Sequence, residues 1–418
     1  MNKKEVKKAP TLRFKGFTND WEQHSLENLY NKIGNAFVGK ATPFFTNHGH
    51  FYLESNNIKD GRINLKDQKF INDVFYIKQR DKWLHTNDLV MVQSGDVGQT
   101  SVITQKYNNC AAHALIMFRK PKNEYISNFL NSYFQSDVAI SKIDKLKIGN
   151  TVNHLLASDM KTFKVTLPKH NSEAQKIIHI FNHLNRLQVL QQRKLDILIK
   201  LNRNIIINLF KEIRVNHHAI ELKHTASNWK SARLKELGIC QSGFGFPIKE
   251  QNGSKGIPFF KVSDFNTFGN EIYLQYANNY VTNHQIRKNK WKIFDQVPAI
   301  VFAKVGAAIF LNRKRMINEP FLIDNNLMAF ELNRQKLDYK FAKILFDNMY
   351  LPKFAQVGAL PSYNASDINA IKVKIPDMDS QKKIANIIMK NNNEIILQKQ
   401  ILQKGKELKQ FLLQNMFI

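Results

Sequence analysis

Two aspartates open matching phrases in this chain of 418 residues. ASDMKTFKVTLP runs from Ala157 to Pro168, and ASDINAIKVKIP runs from Ala365 to Pro376, 208 positions later. A repeated carboxylate is what a duplicated acid–base centre would need, but neither half supplies a partner for Asp159 or Asp367. GNAFVGK (Gly34–Lys40) fits the frame of a phosphate-cradling loop, yet Ala41 stands where a Ser or Thr would hold Mg²⁺. GFGF at 243–246 lacks the spacing of a dinucleotide loop. An amino-methyltransferase needs an Asn/Asp-Pro-Pro-aromatic motif for the extruded base, and no Pro-Pro occurs. Asp377 with Glu407 and Lys409 is the nearest carboxylate–lysine set of nuclease type. The last two fall on an expected helix and read as its solvated face. Cys110 and His113 have no second pair to close a tetrahedral metal site, so an ordinary packed cysteine is expected. No catalytic or metal-binding set emerges.

The remaining chemistry is that of binding. Lys+Arg number 62 against 34 Asp+Glu, a net charge of +28, which favours a polyanionic partner, nucleic acid first. Phosphates would be met by Lys and Arg, and bases by Arg, Lys, Asn, Gln, Ser and Asp on loops. In the first half the candidates are Gln93, Ser94, Asp96 and Gln99, after the strand LVMV. Asn56, Asn57 and Lys59 follow the FYLE strand. In the second half they are Lys304, then Lys261, Ser263 and Asp264. Arg313, Lys314 and Arg315 form a basic turn, and Lys288, Lys290 and Lys292 flank Trp291. Nothing points to a membrane. MNKKEVKKAP has no apolar run behind it, and the stretch 297–311 is too short to span and carries Lys304. Two distant cysteines suit a reducing cytoplasm.

Those loops must be held by something, and the sequence writes its scaffold twice. WEQHSLENL from Trp21 is answered by WKSARLKEL from Trp229. Val97-Gly98 is answered by Val305-Gly306, ALIMF by NLMAF, FLNSYF by FAKILF, and KIGNTVNHLLASD by QVGALPSYNASD. SEAQKIIHI answers to DSQKKIANI, and both halves close in NLF or NMF. The order is collinear, with offsets between 206 and 212 throughout, which marks a tandem duplication. Each half begins with about 150 residues of short β-prone runs broken by Gly, Asn and Asp. A Val/Ile strand ending in proline follows (TFKVTLP, then AIKVKIP), and then a long helix without proline.

The first helix is expected from Ser172 to about Arg214, with Ser172 and Gln175 as a capping box. Its apolar stripe reads Ile177, Ile180, Leu184, Leu187, Leu198, Leu201 and Ile205, interrupted at Gln191 and Lys194. The second helix is expected from Asp379 to about Asn415, with Ile384, Ile388, Asn391, Ile395 and Leu402 in one seam and Gly405 inside it. Helices this long must bury their stripe, and the duplicate copy is the natural partner. The expected fold is α+β: two β-rich domains joined by two long helices in an antiparallel coiled coil, with internal pseudo-two-fold duplication. The expected segments are a basic arm over 1–17, a first domain over 18–168, a spacer helix over 169–213, a second domain over 214–376 and a second spacer helix over 377–418.

LRFKGFTNDWEQHSLENL (12–29), SGFGFPIKEQNGSKGIPFFKVSDF (242–265), IVFAKVGAAIFLN and INEPFLIDNNLMAF together resemble the specificity subunit of type I restriction–modification enzymes. Both ASD…P junctions and both helices fit. Lys15 stands where that opening has proline, and ELKHTASN before Trp229 matches it loosely. The resemblance implies that each β-rich target recognition domain reads one half of a split, asymmetric site on double-stranded DNA, with the helices setting the gap. It further implies that two methyltransferase subunits dock on the helices and that restriction/translocase subunits join them. This chain would then be non-catalytic and hold no cofactor, with S-adenosylmethionine, ATP and Mg²⁺ confined to partner subunits. The alternatives are a self-sufficient DNA methyltransferase or nuclease with atypical motifs, and a coiled-coil scaffold whose basic domains bind RNA or acidic protein.

Overall fold

The computed structural model describes residues 8–149, 153–214, 229–356 and 360–418. The basic opening MNKKEVK, the ELKHTASN stretch, and the parts of KIGNTVNHLLASD and QVGALPSYNASD at 150–152 and 357–359 lie outside the described residues. The chain forms two compact units, one from Met1–Lys194 with Gln398–Ile418 and the other from Leu195–Leu397.

In the first unit, the strands Tyr30–Asn35, Leu115–Pro121, Leu89–Val92 and Thr100–Val102 lie in that order in an antiparallel sheet. LVMV is buried along its whole length because both sheet faces are covered. The two-residue period of a strand divides its side chains. Leu89, Met91, Ile116 and Phe118 pack with Phe129, Leu130 and Tyr133 of the helix Ile126–Tyr133. Val90, Val92, Leu115 and Met117 face Leu53, Ile58 and Leu84. The second unit repeats the plan with Gly238–Ser242, Leu327–Leu332, Ala299–Ala303 and Lys314–Ile317. Ile300, Phe302, Met328 and Phe330 pack toward the helix Tyr339–Asn348, and Ala299, Val301, Leu327 and Ala329 toward Phe260 and Phe321.

The duplication is visible in the strand register. Glu22 to Ser25 pair with Leu167 to Lys164, and Lys230 to Arg233 pair with Ile375 to Lys372. Every residue of the second ladder stands 208 positions after its counterpart in the first. The expected junction strands are therefore real, over Lys164–Leu167 and Lys372–Ile375. The ASD part of each phrase is instead the first turn of a short helix, Ala157–Thr162 or Ala365–Asn369. Asp367 is one side of a capping box. Its backbone N–H donates to Asn364 Oδ1 at 3.0 Å, and Asn364 N–H donates back to its carboxylate at 3.0 Å. Asp159 accepts from Ser158 Oγ at 3.4 Å in the equivalent turn.

The long helices run Asn171–Arg214 and Met378–Asn415, within a residue of expectation at each start and at the expected end. The first begins one residue ahead of Ser172, and the N–H groups of Glu173 and Ala174 donate to the carbonyl of His170, so Ser172 is not the cap. The second is capped by Asp377, whose carboxylate accepts from Ser380 N–H at 2.9 Å and Ser380 Oγ at 3.2 Å. These bonds hold the Asp377 carboxyl below its ordinary range.

The seam of the first helix differs in part from the expected stripe. Ala174, Phe181, Gln188, Leu195, Asn202 and Leu209 form one seven-residue series, with Ile177, Leu184, Gln191, Leu198 and Ile205 as the other, all buried or half-buried. Ile180 is only half-buried, and Leu187 and Leu201 are 42% and 50% exposed. Counting only apolar residues chose the wrong side in the middle because polar residues occupy the seam there. Gln188 Nε2 donates to the Gly405 carbonyl at 3.2 Å, and Gln191 and Gln398 join side chain to side chain. In the second unit Asn202 donates to Asn392 at 2.7 Å, while Ile205, Ile206 and Leu209 join the cluster that holds Ala385 and Ile388. Within each unit the two helical segments thus run antiparallel. Ile388, Ile395 and Leu402 are buried as expected, with Ile384 and Asn391 half-buried. Lys409, expected on a solvated face, is also buried, because it falls in the same series as Ile395 and Leu402.

Candidate nucleic-acid interface

In each domain one group of candidate residues sits on the same kind of turn. After the strand His50–Leu53 the chain enters a 3₁₀ turn, Ser55–Asn57. After Ile257–Phe260 it enters another, Val262–Asn266. Asn57 Oδ1 accepts from the backbone N–H of Glu54 at 3.0 Å, and Asn57 N–H donates to the Glu54 carbonyl at 2.9 Å. Asp264 repeats this with Lys261, at 2.6 and 3.0 Å. Asn57 also donates to the carbonyls of Asn64 and Asp67, and Asp264 accepts from Asn278 N–H at 3.0 Å. Both side chains are fully buried. Their assignment to DNA contact is corrected: their polar atoms shape the turn and do not reach solvent. Burial pushes the Asp264 carboxyl upward, against the bonds from Lys261 and Asn278 that favour its charge.

Beyond that turn the first domain brings its two candidate segments together. Asn56 and Lys59 are exposed, and Lys59 closes a two-residue hairpin with Arg62. At its tip Asp60 and Gly61 take positive φ of 52° and 77°, the backbone that an Asp-Gly hairpin favours. Asp60 N–H donates to Gln99 Oε1 at 3.0 Å, joining this hairpin to the 93–99 loop. In that loop Asp96 is exposed, and Gln93, Ser94 and Gln99 are half-buried. The Gln93 carbonyl accepts from Leu155 N–H at 2.9 Å, while its Oε1 is buried with no hydrogen-bond partner among the described residues.

The second domain distributes its candidates over three places. Lys261 donates to Gln251 at 2.9 Å and Lys288 to Glu250 at 3.3 Å, both around the turn Ile248–Glu250. Ser263 and Lys290 are exposed nearby in sequence, the latter at a helix end with φ of 53°. Lys304 donates to Ser242 Oγ at 3.0 Å. Arg313 reaches Asn266 Oδ1 at 2.6 Å, and Arg315 donates to the Asn270 carbonyl at 2.6 Å while lying over the Phe265 ring. Lys314 between them is another correction. Strand alternation turns it inward to 2% exposure, where it donates to the Met349 carbonyl at 2.6 Å, and burial lowers its ammonium to about 8. Trp291, flanked by Lys288, Lys290 and Lys292, is buried edge-on against Phe259.

The other motifs serve packing. Gly34 lies in a strand opposite Met117, and the segment after Lys40 enters a 3₁₀ turn, Thr42–Phe44, not the helix that a phosphate loop opens. Phe246 of GFGF stacks on Phe259 at 3.8 Å. Cys110 is buried, with its thiol pushed up to about 12. Sequence reasoning passed over Asn266, Asn270 and Phe268. Superposing the two halves at the 207–208 offset would have found them, since it sets Asn57 on Asp264 and Gly61 on Gly269. Among the described residues no three His, Cys, Asp or Glu side chains group as metal ligands, and no helix is long and apolar enough to cross a membrane.

Known proteins share this arrangement. The chain aligns over 98% of its length with the crystal structure of the type I restriction–modification S subunit from M. genitalium. That alignment covers 99% of that chain at 15% identity with a TM-score of 0.61. It also aligns over 95% with the HsdS subunit of Thermoanaerobacter tengcongensis, covering 96% of that chain at 13% identity with a TM-score of 0.50. The type I restriction enzyme MjaVIII specificity subunit of Methanocaldococcus jannaschii is 21% identical over 376 residues, 85% of this chain and 83% of that protein. The profile of the type I restriction modification DNA specificity domain matches twice, at residues 18–201 and 226–406. With most of its length covered by two copies of that domain, the chain belongs to the type I restriction modification DNA specificity family.

Proposed function

We propose that this chain reads a bipartite, asymmetric target on double-stranded DNA, one half through each β-rich domain, with the paired helices as spacer. The helices also carry the docking surface for two methyltransferase subunits, and restriction/translocase subunits complete the assembly. The chain performs no chemistry itself. S-adenosylmethionine, ATP and Mg²⁺ act in the partner subunits, in the cytoplasm. The exposed candidates Asn56, Lys59, Asp96, Ser263 and Lys290, with the half-buried Gln93, Ser94, Gln99, Lys261, Lys304, Arg313 and Arg315, supply phosphate and base contacts. Lys288 supplies a further phosphate contact.

The observation that carries this reading is the strand ladder repeated at a constant offset of 208, in two domains whose loops differ in chemistry. The frame is the same twice, and the groups it presents are not. Two different words read at fixed separation are the natural use of such a molecule, and the charge of +28 supplies the sequence-independent attraction.

The test is a domain exchange. Replacing residues 214–376 by the corresponding domain of another member should change one half of the methylated site and leave the other half and the gap intact. Altered methylation in both halves overturns the modular reading. Methyl transfer from labelled S-adenosylmethionine by the purified chain alone overturns the non-catalytic one.

A further inference from the structure

The two copies of the recognition domain can be compared with each other, and the comparison separates frame from message. The frame includes the turn organised by Asn57 or Asp264 and the positive-φ glycine that follows, Gly61 or Gly269. At φ of 77° and 92° a side chain at either position would be strained. A Cβ on Gly61 would lie 2.4 Å from Gln135 Nε2, which sets the first turn against the segment after Ile126–Tyr133, and one on Gly269 would lie 2.8 Å from the Tyr276 ring of its own loop. Immediately before that glycine the copies diverge in kind: Asp60 in the first, Phe268 in the second.

Phe268 is 92% exposed, although the loop that carries it is tightly built. Thr267 to Asn270 form a turn closed by Asn270 N–H donating to the Thr267 carbonyl at 3.0 Å, with Gly269 at its third position. Below the turn, the fully buried Asn270 side chain donates to the carbonyls of Asp264 and Tyr276. It accepts from the N–H groups of Gln275 and Tyr276 at 2.9 and 3.1 Å. Arg315 clasps the Asn270 carbonyl, and Arg313 clasps Asn266. A bare aromatic ring is thus held out on a hydrogen-bonded turn whose flanking residues, Asn266 and Asn270, each accept from an arginine side chain.

We infer that Phe268 is a specificity-determining wedge, which enters the stack at one base step of the half-site read by the second domain while Arg313 and Arg315 steady the flanking phosphates. This deepens, and rests on, the DNA-reading function proposed above. A phenyl ring has no hydrogen-bonding group, so it selects sequence through the ease of unstacking a step. The equivalent Asp60 can only accept hydrogen bonds, which makes the two domains readers of different kinds.

The full-length chain is incubated with a pool of randomised duplexes at one salt concentration, and the bound fraction is sequenced. Phe268→Ala should lower the preference at one step of one half-site by about tenfold or more. The other half-site, and binding to unselected DNA, should stay unchanged. Phe268→Trp should keep the preference. On a selected duplex with 2-aminopurine beside that step, wild type should raise the fluorescence and Phe268→Ala should not. Unchanged enrichment by Phe268→Ala, an equal loss on all DNA, or lost preference without a fluorescence difference overturns the wedge while the DNA-reading function stands. A wild-type chain that enriches no sequence overturns both.

Discussion

Lys409 Nζ donates to Gln135 Oε1 at 2.7 Å from the buried face of the C-terminal helix, tying that helix to the loop after Ile126–Tyr133. Burial holds the ammonium at about 8 instead of 10.5, helped by nearby Arg62 and opposed by Asp60. Between these two values the unfolded chain binds the extra proton, so this group makes stability rise with pH from about 8 towards 10. Lys409→Met should stabilise the first unit at pH 7, and its advantage over wild type should shrink by about 2–3 kcal/mol by pH 10. Denaturation midpoints of both proteins at the two pH values, followed by hydrogen exchange in that unit, measure this. An advantage that does not vary with pH would mean that Lys409 keeps an ordinary pKa.

Arg13 grips Glu173 with two bonds, at 2.7 and 2.8 Å, and the Glu173 side chain is 1% exposed. The N-terminal segment is thereby clamped to the first turn of the central helix, helped by Leu12 N–H donating to the Asn415 carbonyl. Glu173→Ala strands a largely buried guanidinium and should cost about 3 kcal/mol in the first unit. Hydrogen exchange should accelerate in peptides around residues 12 and 174 and leave residues 230–375 unaffected. Equal acceleration in both units would contradict a local clamp.

The Gln191–Gln398 bond sits in the helical seam, where a leucine pair would pack without polar atoms to satisfy. Gln398→Leu alone leaves Gln191 short of a partner and should lower stability by about 1–2 kcal/mol. Adding Gln191→Leu should recover that loss or exceed it. Urea midpoints of the single and double variants decide, and additive losses would show that the two side chains act independently.

The Asp264 carboxylate organises its turn through two oxygens, each filled by a backbone N–H group. Asp264→Asn keeps one oxygen and should be tolerated better than Asp264→Ala, which should cost about 2–3 kcal/mol. Reading of one half-site should weaken with it, and the other half-site should be untouched. Loss of both would imply that the domains do not read independently.

If the helices are the ruler, a heptad inserted at matching positions in both keeps the seam in phase. It lengthens the pair by about 10 Å, close to three base pairs at ~3.4 Å each. The methylated half-sites should move apart by that amount. An unchanged gap would assign the spacing to something other than helix length.

The repeat, the junction strands and the limits of both helices were legible in the sequence. They rest on local chemistry: apolar alternation, proline as a stop, and long stretches with no proline. The C-terminal seam was legible too, since Ile388, Ile395 and Leu402 mark it plainly. The middle of the central helix was not, because Gln188, Gln191 and Asn202 are half-buried only by virtue of partners about 200 residues away. Lys409 continues the series of Ile395 and Leu402, but its charge pointed to a solvated face. Among the candidate contacts, side-chain type alone could not tell Lys59 from Lys314, or Asn56 from Asn57. Residue type decided that this chain would present cations and amides to a polyanion. Only the tertiary structure decided which of them face solvent, since burial is set by what the rest of the chain lays over each residue.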